Sequence, residues 1–327
     1  MSLTVGLFAI LGLICGAVTV PWLNRLIARE REAIGWPAPT ASDQRWRWRA
    51  LPLSCALAFG MMAWVTLSTS GIQAPEVQPS PTGAWWRLSF HCLLLFWILL
   101  ATLIDFDCYL IPDAVTVPGM LLGLLGALLT GDVQIAHLYV DWTAEVPGIL
   151  GPTIPAWYSQ HPHWHGLSWS FAGLMAGGGL TAAVRWAAEK VYGREALGFG
   201  DVTFMAMIGC YLGWQAIILA FFVAPLIGAV FAIPLRFLFN INHIPYGPSL
   251  GAGATLVLIS WSFWWRQTRL LFSDPIALSW LAGIGIVAFI GLTGLIWLYR
   301  RIPLAPGSTN SSDPLRGRSE INGEKSK

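Results

Sequence analysis

Residues 88–130 read LSFHCLLLFWILLATLIDFDCYLIPDAVTVPGMLLGLLGALLT. Two apolar runs, 88–104 and 114–130, lie at its ends. Each can cross a bilayer core of about 30 Å as a helix. Between them sit three carboxylates, Asp105, Asp107 and Asp113. A charge at the membrane boundary is expensive, and groups that stay there line interior or functional positions. Asp105 directly follows the first run, so it is the residue to explain. Asp107 reads as part of the connection. Pro112 fixes its own backbone and pushes Ile111 out of helical geometry, so Asp113 reads as the cap of the next helix.

Working outward, similar runs recur over 3–27, 51–70, 168–188, 202–213, 216–238, 250–265 and 278–299. The chain is 55% hydrophobic and 11% charged, against about 25% charged in a soluble domain. The expected fold is all-α, a polytopic transmembrane bundle of about eight to nine spans. The expected parts are a membrane hairpin with a short basic loop (1–87), a membrane core (88–265), an additional span (266–299) and a polar tail (300–327). The tail is rich in Gly, Ser and Pro and reads as disordered, because it cannot bury enough apolar surface to offset ordering entropy. The start, MSLTVG, has no basic residue before its apolar run, so the first span reads as retained rather than cleaved.

Net charge is +2, which gives no reason to expect nucleic acid as a partner. The positions of the charges say more. With nine spans, sixteen of the nineteen Lys and Arg residues fall on one side, including Arg25, Arg29, Arg31, Arg45, Arg47 and Arg49. Basic loops stay cytoplasmic. The N-terminus is therefore expected outside and the C-terminus in the cytoplasm. Arg87, Arg266 and Arg269 are the exceptions. Tryptophans near span ends, such as Trp85, Trp142 and Trp214, suit the headgroup layer. Five cysteines form no C-x-x-C pair and mostly fall in apolar runs, which reads as small buried side chains rather than a zinc site.

A second aspartate follows glycines in ALGFGD, residues 196–201. Gly198 and Gly200 allow a sharp bend and close backbone approach. Under the topology above, Asp105 and Asp201 lie at equal depth at the cytoplasmic ends of their helices. Two carboxylates that meet in a partly desolvated site hold one shared proton. One can then act as base on water while the other polarises a carbonyl, as in aspartic proteases, with no cofactor or metal needed.

Asp105, followed by Pro112 and Asp113, resembles the first motif of the type IV prepilin peptidases. Gly198-Phe199-Gly200-Asp201 resembles their GxGD motif, which presenilin-like intramembrane aspartyl proteases share. GREALGFGD with MAMIGCYLGWQ, and HIPYGPSLGAGA at 243–254, are similar to neighbouring family segments. The resemblance covers roughly residues 88–260. It implies a membrane-embedded aspartic endopeptidase of the bacterial inner membrane with a cytoplasmic active site. Asp105 and Asp201 would be catalytic. Gly198 and Gly200 would admit the substrate backbone. The substrate would be a prepilin-like precursor of a type IV pilus or type II secretion system, its apolar helix lodged in the lipid bilayer. The family's two C-x-x-C pairs are absent from the N-terminal loop, so N-methylation is not implied. CGAVTVPWLNRLI, residues 15–27, echoes the family's early segment only faintly, and Thr203 stands where a lysine is usual.

Two rival functions remain compatible with the residues. Intramembrane aspartates also mark proton relays in transporters. A non-catalytic assembly factor derived from the peptidases could keep both aspartates. In SQHPHWHG, His161, His163 and His165 would share one face if extended and could bind a metal, or simply form a polar loop. IPYGP, 244–248, reads either as a connector or as the mouth that receives substrate. GLMAGGGL, 173–180, reads as close helix packing.

Overall fold

The computed structural model describes residues 2–69, 71–142, 152–193, 197–239 and 245–301. They form ten helices: α1 (Ser2–Ala33), α2 (Ala41–Ser68), α3 (Pro81–Cys108), α4 (Asp113–Thr130), α5 (Ala156–Gln160), α6 (Pro162–Tyr192), α7 (Phe199–Phe239), α8 (Gly247–Ile259), α9 (Trp261–Ser273) and α10 (Pro275–Arg301). Among the described residues there is no strand, only an isolated bridge between Asp141 and Thr153. Six helices are long and apolar enough to cross a membrane: α1, α2, α3, α4, α6 and α7. The pair α9–α10, bent by 98°, makes a seventh if taken as one span. A polytopic helical bundle holds, with six to seven spans by this measure instead of eight to nine. Beyond Arg301, the tail expectation lies outside the described residues.

Part of the difference in count comes from α7. Gly213, at φ 74° and ψ 172°, breaks its helical path. The neighbours of α6 show that the chain doubles back there. Gly177 packs against both Met205 and Ile217, which flank Gly213, and Gly173 packs against Gly209 and Gly213. The two arms of α7 therefore run in opposite directions along α6, as the separate runs 202–213 and 216–238 had suggested. The glycine run in α6 is what lets them approach. The second arm then pairs with α8, where Gly253 sits on Ala224 and Gly228 on Ser249.

Several helices extend past their apolar runs, because hydropathy registers only the part that suits lipid. α2 starts at a reciprocal cap: Thr40 Oγ1 accepts from the Asp43 N–H at 3.3 Å, and Asp43 Oδ2 from the Thr40 N–H at 2.9 Å. Arg45, Arg47 and Arg49 thus lie on α2, not in a loop. α3 starts at Ser80, whose Oγ accepts from the Gly83 N–H at 3.0 Å, with Pro81 in the first turn. It ends where Tyr109 turns left-handed (φ 53°) and its N–H closes on the Asp105 carbonyl at 2.9 Å. Asp107 is therefore helical, not part of the connection. Asp113 is the first residue of α4. The cap position belongs to Pro112, whose extended backbone has no side-chain bond to offer, so the expected Asp113 cap does not form.

The run 250–265 is not one helix. It breaks at Ser260 (φ −113°, ψ 22°). α9 beyond the break is two-faced: Trp261, Trp265 and Phe272 are buried, whereas Phe263 and Leu270 are exposed. Arg266 and Arg269 ride on α9, and the Arg269 guanidinium stands 4.3 Å over the Trp142 ring. Two of the three charges that fitted the orientation least thus lie on a short amphipathic helix. Cys55, Cys92, Cys108 and Cys210 are buried, as small apolar side chains would be, and form no disulfide, while Cys15 is half-buried.

Candidate functional site

Asp105 lies in the last turn of α3 and is 5% exposed. Its Oδ2 accepts from the Gly247 N–H at 2.9 Å. That amide belongs to the first turn of α8, where backbone N–H groups have no helical partner and favour an anion. A side chain at Gly247 would run into the Asp105 carboxylate and come within 3.0 Å of Ile111 Cδ1. The glycine is what allows α8 to meet α3 this closely.

Asp201 lies in the first turn of α7 and is half-buried. Its own N–H reaches the Gly198 carbonyl at 3.2 Å. Its neighbour Gly200 packs on Ile111, as does Gly247, whose amide bonds Asp105. The beginnings of α7 and α8 and the end of α3 therefore converge on one small region, and the two aspartates face it from different helices.

The two glycines of the GFGD stretch differ. A Cβ at Gly200 would stand 2.7 Å from the Ile111 carbonyl oxygen and 3.2 Å from Ile111 N. Gly200 thus packs against this chain's own α3–α4 connection. A Cβ at Gly198 would find the Asp201 Oδ2 at an ordinary 3.6 Å. Gly198 is exposed beside that carboxylate, on the open side.

Asp107 is not a solvated turn residue. Its Oδ2 accepts from Arg47 Nη1 at 2.6 Å and its Oδ1 from Arg31 Nη2 at 3.2 Å. Spacing could not reveal this contact. Arg31 and Arg47 read as two of six basic residues in a loop, and nothing in the sequence ties them to residue 107. The part played by Gly247 was visible only as one of two readings of IPYGP, of which Ile244 falls outside the described residues.

A second cluster occupies the opposite end of the bundle. A cavity of about 370 Å³ is lined by Glu76, Gln134, His137, Tyr158 and His165, among others. Burial pushes the Glu76 carboxyl above its ordinary range and holds His137 below its own. His163 and His165 lie in the first turns of α6, not in an extended segment, so alternate residues do not share a face. His163 Nδ1 bonds the Leu128 carbonyl at 2.8 Å. His165 Nε2 accepts from the Leu138 N–H at 3.2 Å, and its ring stacks on Tyr158 at 3.9 Å. Among the described residues, no group of three His, Cys, Asp or Glu side chains is placed to hold a metal ion.

Residues 92–233 match the type IV leader peptidase family. The chain is similar to a prepilin leader peptidase/N-methyltransferase of Aeromonas salmonicida, at 31% identity over 196 residues, covering 58% of this chain and 56% of that protein. A Pseudomonas aeruginosa protein of the same description is 25% identical, covering 69% and 71%. One from Dickeya chrysanthemi is 26% identical, covering 76% and 90%. The chain thus spans only a little over half the length of the Aeromonas salmonicida relative. No solved structure matches.

Proposed function

We propose that this protein, whose residues 92–233 match the type IV leader peptidase family, is a membrane-embedded aspartic endopeptidase that removes the basic leader of prepilin-like precursors. Asp105 and Asp201 are its catalytic pair. The observation that carries the reading is their convergence from helices about a hundred residues apart in sequence: the Gly247 amide bonds Asp105, and Gly247 and Gly200, the neighbour of Asp201, both pack on Ile111.

The chemistry follows from that placement. One proton serves both carboxyl groups. The unprotonated group takes a proton from water, which attacks the scissile carbonyl. The protonated group donates a hydrogen bond to the carbonyl oxygen as it becomes an alkoxide. Proton return to the leaving nitrogen completes hydrolysis. Gly198 lies open beside Asp201 and admits the substrate backbone there, while Gly200 supports the site through Ile111. The precursor's apolar helix rests in the bilayer against the bundle, at the inner membrane. The leader approaches from the cytoplasm, where the arginine-rich end of α1 and start of α2 belong by the charge rule. The relatives' second named activity, N-methylation, is not carried over, because the short connection between α1 and α2 has no cysteine pair.

The test is leader removal from a precursor with a basic leader and an apolar helix, followed by mass spectrometry. Asp105→Asn and Asp201→Asn are each expected to lower cleavage by at least about 100-fold, the lower range for loss of an acid–base group. Wild-type processing by either variant overturns the assignment. The same spectra report any methyl group on the new N-terminus; a mass gain of one methyl would overturn the cleavage-only reading.

A further inference from the structure

The end of α3 is held from two sides. Successive residues of an α-helix are about 100° apart, so Asp105 and Asp107, two positions apart, point to nearly opposite faces. Asp105 faces α8 and the Gly247 amide. Asp107 faces the α1–α2 hairpin, where each of its oxygens takes one arginine: Arg47 at 2.6 Å and Arg31 at 3.2 Å. The same Arg31 nitrogen donates to the Asp107 carbonyl oxygen at 3.3 Å. That carbonyl is in the last turn of α3, where no helical N–H is available, and a cation there complements the negative end of the helix.

Arg47 is fully buried. Its Nε donates to Asn24 Oδ1 on α1 at 2.7 Å. α1, α2 and α3 therefore meet at a single charged knot two residues from Asp105. Burying a guanidinium is costly, and a buried ion pair contributes little net stability compared with apolar packing, although it fixes one arrangement over others. A basic side chain that only oriented the loop could have remained in water. Asn24, Arg31 and Arg47 all precede residue 92, outside the stretch that matches the family.

We infer that Arg47, with Arg31 and Asn24, is a positioning group for Asp105: through Asp107 it sets the rotation and depth of the last turn of α3, and so the approach of the Asp105 carboxyl to Gly247 and Asp201. The inference rests on the peptidase reading for its kinetic consequence. A displacement of about 1 Å in a reacting group costs on the order of 100-fold in rate. Release of the knot therefore acts on turnover more than on binding.

The test uses the full-length protein in detergent or liposomes with the same precursor. Asp107→Asn and Arg47→Gln are expected to lower kcat by about 10- to 100-fold, with KM within about 2-fold of wild type. Arg47→Lys recovers part of the loss. The double variant loses less than the product of the two single losses, because both changes break the Arg47–Asp107 contact. A wild-type kcat in both single variants, or a loss confined to KM, overturns the inference. Infrared spectroscopy supplies a readout that does not depend on catalysis. The carboxyl band missing from Asp105→Asn identifies Asp105, and it is expected to shift in Arg47→Gln and return toward its place in Arg47→Lys. An unmoved band in folded Arg47→Gln overturns the positioning role even if no cleavage is ever seen. Absence of cleavage by wild type, with the band shifted, counts instead against the peptidase reading.

Discussion

At the scale of single residues, three glycines near Asp105 and Asp201 have different duties, and substitution separates them. Gly247→Ala places a methyl group against the Asp105 carboxylate. Gly200→Ala places one 2.7 Å from the Ile111 carbonyl oxygen, inside van der Waals contact. Both are expected to lower leader cleavage by about 100-fold, because α8 or α7 must back away from α3. Gly198→Ala meets only an ordinary contact at 3.6 Å. It is expected to cleave a short soluble leader peptide within a few-fold of wild type, and to lose rate chiefly on the full precursor, whose backbone must pass closer. Initial rates on the two substrates check all three. The sequence showed Gly198 and Gly200 as equals in one motif. Only the neighbouring connection, brought up from residue 111, distinguishes them.

At the scale of elements, the reversal within α7 decides which residues of that helix face the site. Gly213 occupies a backbone region (φ 74°, ψ 172°) open in practice only to glycine, and the Trp169 indole packs against it. Gly213→Ala is expected to destabilise the fold by about 1–3 kcal/mol from backbone strain alone, with more from the clash with Trp169. Thermal unfolding in detergent, followed by circular dichroism, reads the loss. A variant as stable as wild type would mean that the two arms do not depend on this turn. At α9 the sequence misled for a definable reason. An apolar stretch cannot report a break at Ser260 when no proline or glycine marks it, and tryptophan suits a buried face and a membrane interface equally well.

At the scale of the whole molecule, the bundle carries polar clusters at its two ends, with an apolar body between them. The end remote from Asp105 responds to pH with a definite sign. Burial holds His137 below its ordinary value near 6.5 in the folded protein. The unfolded chain binds the proton more readily, so stability is full above about 6.5 and falls as the pH drops through that value. Glu76, raised by burial, acts in the opposite direction above its ordinary 4.5. Comparing wild type with His137→Asn isolates the histidine: the unfolding temperature of wild type is expected to drop more between pH 7.5 and 5.5 than that of the variant, and parallel curves would refute it. What the sequence determined by itself was the class of fold, the runs of helix that suit lipid, and the two aspartates worth watching. These follow from local composition and short spacing, which the chain carries wherever it goes. What tertiary structure alone decided was which partners stand around those aspartates. The Gly247 amide, the Ile111 backbone and the Arg47–Asp107 pair come from segments 60 or more residues away, or from turns whose meeting depends on helix packing, and no periodicity along the chain records contacts made across it.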